Sequence, residues 1–220
     1  MKEPFRRASH DVYFSFVDFL KQLRGGSAAH PQTTNFARFV LFISMMTLCV
    51  NVSGPLLAFF LLKDLGFSYA SYMVTVTTAA MTGFLFQGIW GKHGDLDGNV
   101  KTIRVAGWGI ALVPLLWMVS RELGWLFFVQ VIAGAFWGGF NLLFLNFILE
   151  AVPAEKRIRS LSYFNVMNSA ALLIGSTAGG FLFERVPPLF GYSFLTLFLI
   201  SCIGRVAVMC WIAPKVKEVR

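Results

Sequence analysis

Six apolar runs, each about one bilayer thick, constrain this chain more than any other feature. They fall at residues 39–62, 70–90, 103–120, 125–149, 161–183 and 193–213. A hydrocarbon core of ~30 Å takes about 20 helical residues, and each run supplies roughly that many. With 56% hydrophobic and 14% charged residues, the 220-residue chain has too little polar surface to clothe a water-soluble domain. The connections are short, so neighbouring spans run antiparallel. The expected fold is an all-α membrane protein with six transmembrane helices.

The basic residues sort by side. Fifteen of the 19 Lys and Arg lie before the first span, in the second-to-third and fourth-to-fifth connections, or in the tail. Lys63, Arg121 and Arg185 lie on the other side, and Arg205 lies within a span. That asymmetry predicts cytoplasmic N- and C-termini in a multi-pass protein of the plasma (inner) membrane. It also explains the net charge of +8 without nucleic acid, since no zinc spacing or RNA-binding signature accompanies it. No secretory leader is visible, because the first 38 residues carry six Lys or Arg and no apolar h-region. Cys49, Cys202 and Cys210 all fall in apolar runs. Cys202 and Cys210 are about 12 Å apart along one helix, too far to bridge.

The chain divides into three parts. Residues 1–38 read as an amphipathic helix and linker, 39–213 as the membrane domain, and 214–220 as a cytoplasmic tail. Val12, Phe16, Phe19, Leu20 and Leu23 share one helical face, while Asp11, Asp18, Lys21 and Gln22 sit largely elsewhere. Such a helix lies in the interface and is too charged to span. Steadying the chain is its plainer role; binding a partner or regulating is the alternative.

One charged stretch interrupts the apolar pattern, Trp90-Gly91-Lys92-His93-Gly94-Asp95-Leu96-Asp97-Gly98-Asn99-Val100-Lys101-Thr102. Gly91 and Gly98 permit a tight turn. Asp95 is suited to accept hydrogen bonds from the N-terminus of another helix. His93, Asp95 and Asp97 lack an evident fourth ligand for a metal. An ordinary soluble turn is the competing reading.

Gly91, Asp95, Gly98 and Lys101 resemble the Gly-x-x-x-Asp-Arg-x-Gly-Arg-Lys loop of the major facilitator superfamily, which joins the second and third helices of each six-helix half. Pro153 to Asn165 resembles the family's fourth-to-fifth connection, and Asn35 to Ser68 its opening helix and outer loop. The resemblance covers about residues 35–220. Leu96 stands where the motif has arginine, and the first basic residue after Gly98 comes late, at Lys101. The degenerate loop and the long polar lead-in resemble a C-terminal half. The resemblance implies that the loop acts as a conformational latch. It also implies that a second six-helix half, as another chain or a second copy, completes the transporter.

Polar groups inside spans are candidates for a solute pathway. Gln130, Gly134, Trp137, Asn141 and Leu145 share a face of the fourth span, Asn51 sits mid-way along the first, and Asn165, Asn168 and Ser169 lie early in the fifth. Such amides either line a cavity or bond helix to helix. Gly134 with Gly138, and Gly175 with Gly179, form small-xxx-small pairs suited to close packing, and Pro55 is expected to kink the first span. Arg205 either meets an anionic group, pairs within the protein, or snorkels toward the cytoplasmic headgroups. Glu150 reads as a solvated boundary residue rather than a proton relay.

The sequence thus points to half of a secondary-active permease that moves a small solute across a lipid bilayer by alternating access. A truncated or accessory membrane protein associated with a permease is the alternative. An enzyme is not expected: no metal helix, nucleophile elbow or phosphate loop appears, and no cofactor is implied.

Overall fold

A computed structural model describes residues 31–218; the amphipathic stretch around Val12 and Leu23 lies outside the described residues. The main helices are α1 (Pro31–Asn51), α2 (Tyr69–Asp97), α3 (Asn99–Val119), α4 (Leu123–Ala151), α5 (Arg157–Phe183) and α6 (Ser193–Trp211). Six helical segments are long and apolar enough to cross a membrane, and they coincide with the six expected spans. The expected all-α fold is present. The helices overrun the apolar windows, because hydropathy marks where lipid begins and the backbone hydrogen-bond ladder continues past it.

Asn35 bonds to Lys217, so both described ends of the chain meet at one end of the bundle, here termed the basic end. α2 packs along α4, α1 along α5, and α3 against α4 and α6. A large apolar cluster around Phe39, Phe42, Ile103, Phe147 and Val208 fills the basic half. A second cluster around Phe60, Trp117, Leu126 and Phe194 fills the opposite half.

The first span is broken as Pro55 predicts. α1 stops at Asn51, a 3₁₀ turn covers Gly54–Leu56, and a widened five-residue turn covers Phe60–Asp64 before the span ends. Pro55 has no N–H to return to the carbonyl of Asn51, so the regular ladder is interrupted there.

The glycine pairs sit where helices touch backbone to backbone. A Cβ on Gly134 would collide with the carbonyl of Ala79, and one on Gly138 with the carbonyl of Gly83. Gly175 and Gly179 meet the carbonyls of Leu48 and Val52 in the same way, drawing α5 onto α1. Gly180, by contrast, faces open space.

Gly138→Val forces α2 and α4 apart and is expected to destabilise the folded chain by roughly 1–3 kcal/mol. It is read as a lower thermal midpoint in detergent. Gly180→Ala should stay within about 0.5 kcal/mol of the parent. Equal midpoints for the two variants would refute the close-packed α2–α4 seam.

Candidate functional site

The charged stretch is not a loop. α2 runs through it to Asp97, Gly98 is the single break, and α3 starts at Asn99. Gly98 has φ 98° and ψ 147°, a conformation that side chains disfavour. Gly91, expected in the turn, instead lies inside α2 facing Leu142. The glycine that needs to be small is Gly94, where a Cβ would fall 2.6 Å from Leu143 and 2.9 Å from the Asn99 amide. Lys101 is exposed and pairs with Asp97 at 3.3 Å, a solvated contact of little energetic weight. His93 places Nδ1 2.9 Å from the carbonyl of Ile89. Asp95 is exposed, and no described residue hydrogen-bonds to it.

A carboxylate does meet a helix start here, but it comes from the tail. The Val100 amide donates to Glu218 Oε2 at 2.9 Å, so Glu218 caps α3. Arg104 holds the same tail by donating from Nε to the carbonyl of Ala213 at 3.1 Å and from Nη2 to that of Val216 at 2.6 Å. Asn35 exchanges two bonds of 2.7 Å with the Lys217 backbone. Val216 and Ala213 are buried beneath this clasp. Sequence reading did not bring the clasp residues together. The contacts join positions over a hundred residues apart, and Arg104, Lys217 and Glu218 register there only as charge at span ends.

The candidate pathway residues separate into two groups. Asn51 is half-buried and donates to the carbonyl of Thr47 at 2.8 Å, while Thr47 donates to Asn168 at 2.7 Å, so α1 and α5 share one polar cluster. Asn141 and Leu145 on α4, and Asn165 and Ser169 on α5, are exposed. Trp137 is half-buried and stands edge-on to Phe140. Gln130 and Arg205 belong to the other group. Gln130 is buried and donates to the carbonyl of Thr75 at 3.3 Å, binding α4 to α2.

Arg205 is only 5% exposed, donating from Nη1 to the carbonyl of Ile110 and from Nε to Ser201 Oγ, both at 3.0 Å. Snorkelling toward the tail is therefore not what it does. Helical side chains lean toward their own N-terminus, and for α6 that direction leads away from the basic end. Glu150 is exposed near the end of α4.

Six lipid-length helices, with amides exposed on α4 and α5 and a charged joint between α2 and α3, define an integral multi-pass membrane protein. The sequence profile of the Major Facilitator Superfamily matches residues 36–220, and the chain belongs to that superfamily. Two curated proteins are similar over shorter stretches. Efflux pump azaK of Aspergillus niger is 29% identical over 93 residues, 42% of this chain and 20% of that protein. Vacuolar basic amino acid transporter 1 of Saccharomyces cerevisiae is 25% identical over 146 residues, 64% of this chain and 26% of that protein. The chain thus spans between a fifth and about a quarter of the length of these relatives.

The split between free and engaged amides is measurable. With the native cysteines replaced by serine, Asn141→Cys should react with a membrane-impermeant thiol reagent while Gln130→Cys stays protected. Equal protection of both would place Asn141 in a closed contact.

Proposed function

We propose that this chain is one six-helix half of a secondary-active permease that moves a small solute by alternating access. The observation that carries the reading is a superfamily match over 36–220 on a fold of six spans. The basic end is then the cytoplasmic one, in keeping with the excess of Lys and Arg there.

A second half, as a separate chain or a second copy, supplies the facing wall. The uneven burial of the spans supports this. Those built on α2 and α5 are each 17% buried, against 44–50% for those of α3, α4 and α6. Their open faces carry Met81, Phe84 and Leu85 on α2, and Leu172, Leu173 and Ile174 on α5. The solute path lies between the halves and is lined by Asn51, Trp137, Asn141 and Asn165. Amides and an indole suit an uncharged or amphipathic solute. Gln130 and Arg205 hold the helices that shape this path rather than facing it.

In this reading the α2–α3 joint is the latch. Gly98 sets the break, Lys101 and Asp97 flank it, and exposed Asp95 reaches a helix start on the other half. Gly91 lies beside Leu142 with room for a Cβ, and Gly94 is the glycine that keeps α2 slim at the joint.

Affinity purification of the full chain from native membranes tests the assembly. A stoichiometric six-span partner, or a dimer of this chain, is the expected result. A monomer would sink the reading, and recovery with an intact twelve-span permease would favour an accessory role. Asp95→Asn should reduce recovery of the partner half while leaving the chain's own stability within about 0.5 kcal/mol.

A further inference from the structure

Apart from Thr47, which ties α1 to Asn168 of α5, most side chains that reach from one helix to another sort into two sets. The first joins α1, α3 and α6 at two depths. Within the span, Arg205 on α6 donates to the carbonyl of Ile110 on α3. It also donates to Ser201 Oγ, which in turn donates to the carbonyl of Cys49 on α1 at 2.5 Å. Cys202 adds a thiol contact to the carbonyl of Ala111. At the basic end the tail after α6 is clasped by Asn35 of α1 and by Arg104 and Val100 of α3. At 1.5 Å per residue the two levels lie about 21 Å apart along α1, from Asn35 to Cys49, and about 9–15 Å apart along α3, from Arg104 or Val100 to Ile110. Three rods tied together at two levels hold one another in place, whereas bonds confined to the line of one rod leave turning about that line free.

The second set joins α2 to α4. Gln130 donates to the carbonyl of Thr75, Trp90 Nε1 donates to the carbonyl of Ala135 at 2.7 Å, and the glycine contacts lie between them. This seam covers about 20 Å of α2.

Between the sets the packing is apolar, α3 lying along α4 through mainly aliphatic side chains and α1 meeting α4 through rings. Phe39 of α1 stacks on Phe147 at 3.8 Å and on Phe144 at 6.0 Å, and Phe42 meets Phe140 edge-on at 6.0 Å. Phe136 fills the space over Gly109 of α3. Ring pairs have more than one favourable arrangement, offset-stacked or edge-on, and so tolerate sliding better than a hydrogen bond in hydrocarbon does. Two pins cross this boundary, at opposite ends of α3. Trp125 Nε1 donates to the carbonyl of Leu116 at 2.8 Å, and Thr102 Oγ1 shares its proton between the carbonyls of Gly98 at 2.8 Å and His93 at 3.2 Å. Each pin spans one short connection, so the two mark the ends of a single line.

We propose that the domain moves as two leaves. A pair α2/α4 turns about the line of α3 against a welded block α1/α3/α6, with the apolar boundary as the sliding surface and α5 riding on α1. Arg205 and Glu218 are positioning residues of the block. The inference rests on the fold and stands or falls independently of the solute and of the partner half.

Hydrogen exchange on the full chain in lipid nanodiscs reads the leaves directly, since cooperative units exchange together. Arg205→Met should speed exchange about tenfold or more through α1, α3 and α6, leaving α2 and α4 unchanged. Trp90→Phe should do the reverse. If Arg205→Met does not accumulate, Glu218→Ala carries the same expectation from the other end of the block. Identical patterns for Arg205→Met and Trp90→Phe, or effects confined to one turn, overturn the two leaves. Spin labels on the serine-substituted background then test the turning. The Leu85–Ile203 pair should give a broad or double distance distribution and Val105–Ile203 a narrow single one. Equal narrow widths refute the motion.

Discussion

A helix carbonyl already bonded within its own ladder keeps a second lone pair, and in hydrocarbon that lone pair is the acceptor most readily found. Much of this bundle is held by it. Arg205 reaches Ile110, Ser201 reaches Cys49, Cys202 reaches Ala111, Trp90 reaches Ala135, Gln130 reaches Thr75 and Trp125 reaches Leu116, in each case side chain to carbonyl. Such bonds require helices to approach closely. The glycines at 83, 134 and 138, and at 175 and 179, permit that approach by presenting bare backbone. Because lipid is as apolar as leucine, apolar side chains alone give helices little reason to choose one neighbour over another. Direction comes from the donors.

The same constraint separates the polar residues by role. A donor whose bonds are directed at a neighbouring helix has little left for a ligand, and this describes Gln130 and, in larger part, Arg205. Asn141 on α4 and Asn165 and Ser169 on α5 are exposed, and in the proposed reading these are the residues offered to a facing wall or a solute. Asn51 stands between the two cases. Its amide N–H is returned to its own helix, and the missing N–H of Pro55 frees its backbone carbonyl.

Hydropathy alone was enough to read the six spans, because a 20-residue apolar run has few alternatives to a helix across lipid. The glycine pairs were equally legible, since spacing of four places both residues on one face. Connectivity through space was not. Glu218 and Val100 are 118 residues apart, and nothing local distinguishes that glutamate from any solvated tail charge. The stretch from Gly91 to Asp97 read as a loop because charge and glycine mark turns on average. Helical bonding carries α2 through it regardless, and only Gly98, with its positive φ, breaks the chain. For Arg205 the sequence left three readings open, and the structure shows the internal pairing, to Ile110 and Ser201. The lean of a helical side chain toward its N-terminus favours that pairing over the route to the cytoplasmic headgroups.

These details bear on why a charged joint sits between two apolar helices. The start of α3 leaves backbone N–H groups without helical partners, and a carboxylate nearby satisfies one of them. Asp95 and Asp97 are the closest in sequence, yet Glu218 meets the Val100 amide while Asp97 faces Lys101. With α3 already capped by the tail, Asp95 is released from any duty within its own joint. Its carboxylate remains exposed at the end of α2, on the leaf that the proposed motion would swing. An acid so placed changes its distance to a facing helix start whenever that leaf turns. The tail clasp and the latch are therefore one device in this reading: by satisfying α3 from within, Glu218 leaves Asp95 available to a partner from without.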